Sequence, residues 1–276
     1  MPTKSNRDAS GEMPFWDHID ALRSVLVKAA LLVVVLAVVL FAVMPDLFDR
    51  VILAPCNGDF VLYRLFDRLS AFAGWFPGLS GGDFHVQVVN INLASQFFIH
   101  VSSSFWCALV LGVPALMYLL WDFVSPALYD GERKGVRFAF LLGNVMFFLG
   151  VAVGYFVVFP LTLRFLAGYH ISEAIANTIS LDSYMDNFIL IILAMGLVFE
   201  LPLLAWLLGR LGFISRATFS RYRRHAIVVL LVAAAMITPT GDPLTLFAVF
   251  LPVYILWEIA ALLVPAPPRS VAPSSL

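Results

Sequence analysis

One carboxylate lies inside one of the longest apolar stretches of the chain, where a charge is costly. Glu200 interrupts the run from Phe188 to Leu208, which reads FILIILAMGLVFELPLLAWLL, and Pro202 follows two residues later. A charged side chain at membrane depth costs several kcal/mol unless it is neutralised, paired or hydrated. Glu200 is therefore expected either to hold neighbouring helices together through hydrogen bonds or to contact a partner or substrate.

Two short segments combine acidic and aromatic residues next to apolar stretches. The first, Pro14 to Arg23, reads PFWDHIDALR, and its Asp20 and Arg23 share one face of a helix. The second, Trp121 to Lys134, reads WDFVSPALYDGERK. Charges at a membrane surface are often only solvated, but an acidic pocket also suits a basic peptide, because a carboxylate accepts a bidentate pair from a guanidinium group.

No catalytic motif accompanies these residues. The sequence contains no HExxH, GxSxG or Walker A pattern and no metal-like spacing of cysteine and histidine. The pair Gly241-Asp242 lacks the second aspartate that an intramembrane aspartyl protease needs. Cys56 and Cys107 are not expected to form a disulfide, because one lies in a loop and the other in an apolar run. We predict a non-enzymatic protein without a cofactor or metal.

The composition is that of an integral membrane protein. Hydrophobic residues make up 61% of the chain and charged residues 13%, and the mean hydropathy is +0.93. A soluble domain has about 45–50% apolar and about 25% charged residues. The first 23 residues are polar and partly acidic, so the first apolar stretch is interpreted as a permanent span and not as a cleaved leader. The expected spans lie at about 24–44, 96–121, 137–165, 186–208, 225–238 and 244–264.

The last two of these stretches are short. Only about 13 apolar residues follow Ala226 before Thr238-Pro239, which is too few to cross an undistorted bilayer upright. A tight turn from Pro239 to Pro243 makes the pair a hairpin. Prolines in the longer spans are expected to kink them, at Pro114, Pro160, Pro202 and Pro252. The predicted fold class is an all-α membrane protein, a concave bundle of six kinked transmembrane helices with two short final helices.

The distribution of positive charge predicts the orientation. Lys and Arg total 17, and 13 of them fall on the side that holds both termini and the loops 122–136 and 209–224. Loops rich in Lys and Arg stay in the cytoplasm. Both termini are therefore expected to be cytoplasmic, and segment 45–95 faces outward.

The chain is expected to form one membrane domain over residues 1–265, followed by a disordered cytoplasmic tail at 266–276. The tail is rich in proline and serine. Within the outer loop 45–95, the stretch Phe60 to Phe72 has an amphipathic pattern. The alternating stretch Phe84 to Asn90 is either a short strand or an extended connection.

Seven fragments, in this order, resemble the TatC family, the multi-span core component of the twin-arginine protein translocase. Each fragment alone is weak, but their order and spacing agree with the six-span layout. They are HIDALR (18–23), LAP (53–55), FVSPALYDGERK (123–134), FLGVAVGYFVVFPL (148–161), FELP (199–202), TPTGDP (238–243) and LPVYILWE (251–258).

The resemblance implies a receptor for signal peptides that carry consecutive arginines. It implies small single-span TatA- or TatB-like partners, self-association in a larger complex, and export of folded cargo by the proton-motive force across a bacterial-type inner membrane. No nucleic acid partner is implied. The residues that the family pattern assigns to signal-peptide binding are Glu132, Arg23, Asp20, Phe123, Tyr129 and Arg133. Those assigned to the membrane interior, partner contact or the outer loops are Glu200, Asp242 and Pro55.

The chain departs from the family pattern at two places. Many members carry a second acidic residue at the position of Ala21, and here only the preceding Asp20 is acidic. Because one residue along a helix is about 100° of rotation, Asp20 cannot simply replace that group. The outer loop 45–95 is also longer than in the shortest members.

Two functions of different class remain open from the sequence. The favoured one is a non-enzymatic signal-peptide receptor and scaffold, which requires Glu132. The alternative is a proton-coupled small-solute transporter that uses Glu200 as the proton carrier, for which Glu132 is incidental.

Overall fold

The computed structural model describes residues 15–73, 84–125, 130–172, 177–210, 212–238 and 242–264. These residues are almost entirely helical, because a helix satisfies its own backbone hydrogen bonds in a hydrocarbon layer. The helices are α1 (Phe15–Leu47), α2 (Val61–Ala73), α3 (Ser95–Val124), α4 (Asp130–Val153), α5 (Phe159–Gly168), α6 (Leu181–Val198), α7 (Leu201–Arg210), α8 (Arg216–Ile237) and α9 (Pro243–Leu263). A π-helical turn, Phe48–Ile52, continues α1, and another, Gly154–Val158, joins α4 to α5.

Five helical segments in the described residues are long and apolar enough to cross a membrane. They are Ile19–Cys56, Ser95–Phe123, Arg137–Gly168, Leu181–Arg210 and Pro243–Leu263. Helix α8 is not among them, because its first half is rich in arginine. The predicted membrane helices are thus found, while the count of six spans stays a prediction.

Helices α1, α4, α6 and α8 begin earlier than the apolar stretches that they contain. Helix α6 starts at Leu181, where the Ser180 hydroxyl accepts a hydrogen bond from the Ser183 N–H over 3.3 Å. Helix α8 starts at Arg216, and the Ser215 N–H donates to the Thr218 hydroxyl over 3.4 Å. Each of these helices begins in polar sequence, whereas hydropathy marks only the apolar part of a helix, so the span starts near 186 and 225 stay predictions.

The prolines in the spans fall into two groups. Pro160 and Pro202 stand at the second position of α5 and α7, where a missing N–H costs no helical hydrogen bond, and each follows an interruption of the helix. Pro114 and Pro252 lie inside α3 and α9. The helix that contains Glu200 is therefore two segments, α6 and α7, with Glu200 at their junction.

Helices α4 and α6 approach each other closely because glycines lie at their contact. A Cβ atom on Gly150 would lie 2.5 Å from the Met195 carbonyl oxygen, and one on Gly196 would lie 2.8 Å from the Phe147 ring. Small residues allow membrane helices to pack through van der Waals contact. The main core consists of buried side chains of α6 together with those of α5, α8, α9 and the end of α1, and partly buried residues of α4 pack against it.

One end of the bundle, named here the capped end, holds α2 and two short strands. Strand β1 (Val88–Val89) pairs in parallel with β2 (Ile179–Ser180). The amphipathic stretch 60–72 forms α2, and part of Phe84–Asn90 forms the strand β1. The partner strand was not predicted, because two residues carry too little pattern to be recognised.

Tyrosine hydroxyls donate hydrogen bonds to backbone carbonyls where α1 ends at the capped end. The Tyr155 hydroxyl donates to the Val51 carbonyl over 2.8 Å, and the Tyr184 hydroxyl donates to the Ile52 carbonyl. The last carbonyls of a helix lack partners within the helix. These two bonds therefore anchor the end of α1 to later helices.

Tyr63 of α2 makes a similar connection in a fully buried position. Its hydroxyl lies 3.1 Å from the Pro55 carbonyl oxygen and 3.2 Å from that of Pro160. Burial raises the pKa of Tyr63, so the hydroxyl remains a donor. The Arg164 guanidinium lies over the same ring, 5.4 Å from its centroid. Tyr63 thus joins α2, the first outer loop and α5.

Candidate functional site

Helices α1 and α3 lie side by side in opposite directions. The rings of Phe41 and His100 stack with centroids 3.9 Å apart. A Cβ on Gly112 would lie 3.3 Å from a methyl carbon of Leu36. Continued toward the start of α1, this register brings Arg23 level with the end of α3 near Phe123.

Three predicted signal-peptide residues therefore lie at one end of the bundle, opposite the capped end. We name it the basic end; α1, α4 and α8 begin there, and α3 and α7 end there. Asp20 and Arg23 are exposed on α1, and Phe123 is half-buried on α3. An acidic side chain (Asp20), a cationic side chain (Arg23) and an aromatic ring (Phe123) are thus available to a peptide at this surface.

Glu132 and Arg133 belong to the first turn of α4, which also begins at the basic end. Their side chains, and all of Tyr129, lie outside the described residues. The Trp121 ring of α3 contacts the Phe140 ring of α4, with centroids 5.6 Å apart. The backbone therefore brings the start of α4 to the end of α3, beside the beginning of α1.

Glu200 is buried, with 8% of its surface exposed. Its backbone is satisfied: the N–H donates to the Leu197 carbonyl over 3.1 Å, and the carbonyl accepts from Leu204 over 3.0 Å. Neither carboxylate oxygen has a hydrogen-bond partner within the described part of the chain. An unsatisfied buried polar group costs about 1–3 kcal/mol, and more when charged. The described residues therefore offer no pairing that would make Glu200 a structural link.

The Glu200 carboxylate lies against α4 because the opposing residue is a glycine. A Cβ on Gly143 would lie 3.0 Å from the Glu200 Oε2 atom and 2.6 Å from a methyl carbon of Leu203. Any larger residue at position 143 would displace one of these groups. Gly143 was not singled out from the sequence, although its spacing of seven residues from Gly150 and eleven from Gly154 is a recognisable small-residue stripe.

The position of Glu200 along its helix pair places it nearer the basic end. Ten residues separate it from Arg210 at the end of α7, or about 15 Å at 1.5 Å per residue. The α6–α7 segment of 30 residues is longer than a hydrocarbon layer of roughly 30 Å. Glu200 therefore lies inside a segment that is long and apolar enough to cross a membrane, in the half nearer the basic end.

Pro55 and Asp242 lie at the capped end, far from the residues above. Pro55 is buried in a short 3-10 turn. Asp242 caps α9: one carboxylate oxygen accepts from the Thr245 N–H over 2.8 Å, and the other accepts from the Thr245 hydroxyl. Both oxygens of Asp242 therefore have partners inside the chain, and this geometry indicates a structural role.

The predicted site residues thus separate into three levels. Asp20, Arg23 and Phe123 gather at the basic end with the start of α4, Glu200 lies inside the apolar α6–α7 segment, and Pro55 and Asp242 lie at the capped end. The buried tyrosines that close the capped end were missed, because their partners are backbone carbonyls that no side-chain pattern identifies.

The family model and the related sequences that match the chain carry the same name. The family model described as Sec-independent protein translocase protein (TatC) matches residues 17–252. The chain is 31% identical over 255 residues to the protein of that name from Blattabacterium, covering 92% of this chain and 96% of the relative. It is 40% identical over 139 residues to the one from Helicobacter pylori, covering 50% of this chain and 55% of the relative.

Solved structures agree with the fold. A crystal structure of the twin arginine translocase receptor TatC in the detergent DDM superposes with a TM-score of 0.64. The two chains are 25% identical, and the match covers 90% of this chain and 99% of that one.

Proposed function

The chain belongs to the TatC family and is a membrane component of the Sec-independent, twin-arginine translocase, and on that premise we propose that it is the translocase's signal-peptide receptor and core scaffold. It is a transport protein and not a classical enzyme. One observation supports the proposal: the start of α1 with Asp20 and Arg23, the end of α3 with Phe123, and the backbone of the first turn of α4 lie at the same end of the bundle.

In the proposed mechanism, the Glu132 carboxylate accepts a bidentate pair of hydrogen bonds from one signal-peptide arginine. Phe123 and Tyr129 offer aromatic faces on which a guanidinium group stacks, and lysine lacks both interactions. Because Ala21 replaces a second acidic residue, recognition rests mainly on Glu132. Asp20 contributes charge from a neighbouring face of α1.

The test is binding of an Arg-Arg signal peptide and its Lys-Lys counterpart to the purified protein in nanodiscs. Hydrogen bonds to a charged group contribute about 1.5–3 kcal/mol, so Glu132→Ala is expected to weaken Arg-Arg binding roughly 10- to 100-fold. Asp122→Ala removes an exposed acid at the same end and serves as the matched control. Equal affinities of wild type and Glu132→Ala would reject this site.

The substitution at Ala21 provides a gain-of-function test. Ala21 is half-buried on α1, one residue from the exposed Asp20. Restoring the family carboxylate with Ala21→Glu should raise Arg-Arg affinity and leave Lys-Lys affinity less changed. No gain would mean that this position does not face the peptide.

For Glu200, we propose contact with a helix of a small single-span partner or with the apolar part of the signal peptide. Its two carboxylate oxygens lack partners in the described chain. A hydrogen-bond donor on a partner helix would therefore remove the free-energy cost of these unpaired buried oxygens. Reaching that donor requires the side chain to move away from Gly143. Glu200→Ala is expected to reduce partner crosslinking and export more than peptide binding.

Glu258→Ala is the matched control for Glu200, because Glu258 is a second acid in a membrane helix but is paired with Arg223. Equal loss of peptide binding and crosslinking in Glu200→Ala would instead indicate a general folding role. The solute-transporter alternative predicts that Glu200→Ala abolishes proton uptake while Glu132→Ala has no effect.

The proposed topology has six spans, with the basic end and both termini in the cytoplasm of a bacterial-type inner membrane. Helix α8 is the sixth span, in addition to the five candidate segments. Folded cargo cannot pass through a single six-helix chain, so transport needs self-association and the small TatA- or TatB-like subunits, driven by the proton-motive force. Cysteine accessibility at exposed Arg23 and Arg216 positions, probed from each side, tests this orientation.

A further inference from the structure

Helix α8 has two sharply different faces. Its buried residues recur at the spacing of one helical face and pack toward the bundle: Phe219, Ala226, Leu230 and Ala234. At about 100° per residue, the opposite sector contains Arg221, Arg224, His225, Val228 and Val232. All five of these are exposed.

The exposed sector changes from basic to apolar within one turn. Arg221 and Arg224 come first, toward the basic end, and Val228 and Val232 follow with 63% and 52% of their surfaces exposed. Eight residues separate Arg224 from Val232, or about 12 Å along the axis. A phospholipid has the same order, a phosphate followed by an acyl chain.

Arg223 stands apart from its two neighbours. Its guanidinium group pairs with Glu258 of α9, which directs it toward the bundle. Arg221 lies over the Tyr222 ring, 6.0 Å from the centroid, and that ring packs edge-on against His225 at 5.8 Å. The aromatic contacts hold the basic face together, while Arg221 and Arg224 remain directed outward.

The positive charge of the segment around α8 is offset at one place, where Arg223 pairs with Glu258 of α9. Between Glu200 and Asp242 the sequence has five arginines and no acidic residue. An anionic ligand is therefore favoured over a zwitterionic one, whose amine would meet these arginines.

The apolar part of α8 is short, and its length determines how deep in the membrane Arg221 and Arg224 lie. From Ala226 to Ile237 the helix rises about 18 Å, against a hydrocarbon layer of roughly 30 Å. Arg221 and Arg224 therefore lie near the headgroups of the leaflet at the basic end. Arginine binds phosphate through paired hydrogen bonds.

From these observations we propose that the Arg221–Arg224 face of α8 binds an anionic phospholipid, with its phosphate on the two arginines and an acyl chain along Val228 and Val232. The site rests on the proposed membrane topology but does not depend on signal-peptide recognition. The bound lipid lies beside α8 in the leaflet at the basic end, where the apolar part of α8 is shorter than the hydrocarbon layer.

The test uses the full chain in a mild detergent, with phosphatidylglycerol or phosphatidylcholine of identical chains added and bound lipids counted by native mass spectrometry. Wild type should retain phosphatidylglycerol preferentially. The double variant R221Q/R224Q should bind it roughly 30-fold less, because two arginine–phosphate contacts of about 1 kcal/mol each are lost. Its phosphatidylcholine binding should not change.

The matched control is R210Q/R216Q, which removes the same charge from other positions at the basic end. Arg210 lies over the Trp206 ring, and Arg216 begins α8 on the face turned toward α9. Equal loss in both double variants would show diffuse attraction and overturn the site. A second variant pair, V228S/V232S, should also weaken phosphatidylglycerol binding.

Soluble glycerol phosphate distinguishes a lipid site from a simple anion site. It should displace the lipid poorly, and efficient displacement would overturn the role of the acyl chain. Absence of any phosphatidylglycerol preference, with R221Q/R224Q losing partner-subunit crosslinking instead, would assign the face to a protein. Retained Arg-Arg peptide binding in R221Q/R224Q shows that the variant is folded and separates this test from the receptor proposal.

Discussion

Replacing Tyr63 by phenylalanine removes one oxygen atom from the most enclosed connection at the capped end. The ring is kept, so its contacts with Phe60 and Phe84 and the guanidinium group of Arg164 are retained. Only the hydrogen bonds to the two proline carbonyls are lost. The variant therefore isolates the contribution of the hydroxyl group.

The expected cost follows from the geometry of this hydroxyl. It has one hydrogen, which is shared between acceptors 3.1 Å and 3.2 Å away, and the residue is fully buried. Losing a buried partner costs about 1–3 kcal/mol in the free energy of unfolding. For a chain of this size, each kcal/mol lowers the thermal midpoint by about 2–4 °C, so we expect a decrease of roughly 2–12 °C.

The measurement is the thermal midpoint of the purified protein in one detergent, followed by tryptophan fluorescence. Tyr118→Phe is the matched control, since Tyr118 is 68% exposed on α3 and should shift the midpoint by less than the error. If Tyr63→Phe were no less stable than Tyr118→Phe, the hydroxyl would not join α2 to α5, and this interpretation of the capped end would be wrong.

Three further changes test the packing elsewhere. Gly150→Ala places a Cβ 2.5 Å from a backbone oxygen and should cost about 1–3 kcal/mol, whereas Gly168→Ala meets nothing within 4 Å; equal midpoints would refute the close contact. Asp242→Ala removes the cap of α9 and should cost about 1 kcal/mol, with faster amide exchange in its first turn. Arg223→Gln breaks an exposed ion pair with Glu258 and should leave the thermal midpoint unchanged; a large drop would show that the pair organises α8 and α9.

Much of the helical architecture is predictable because the membrane leaves few choices. A long apolar run must satisfy its own backbone groups, so α1, α3 and α9 follow from hydropathy alone. Pro202 next to Glu200 also signals the division of the fourth span. The early start of α8 is harder to foresee, because arginine continues a helix into the headgroup region while it lowers the hydropathy of the window.

The candidate site is only partly predictable, for a related reason. Asp20 and Glu132 are identifiable by their chemistry and by the family pattern. The contact of Glu200 with Gly143 depends on how α4 and α7 meet, and glycine has no side-chain chemistry to recognise. The tyrosine bonds join groups about a hundred residues apart, for example 104 between Tyr155 and Val51. No local pattern contains that information.

The tyrosine bonds at the end of α1 also constrain the order in which the protein can mature. A chain is made from its N-terminus, and 132 residues separate Ile52 from Tyr184. At about 5–20 residues per second, the carbonyl of Ile52 waits roughly 7–26 s for its donor to be synthesised. During that interval the end of α1 relies on water or on an assisting protein. The capped end is therefore completed late in biogenesis, after the intervening helices have been synthesised.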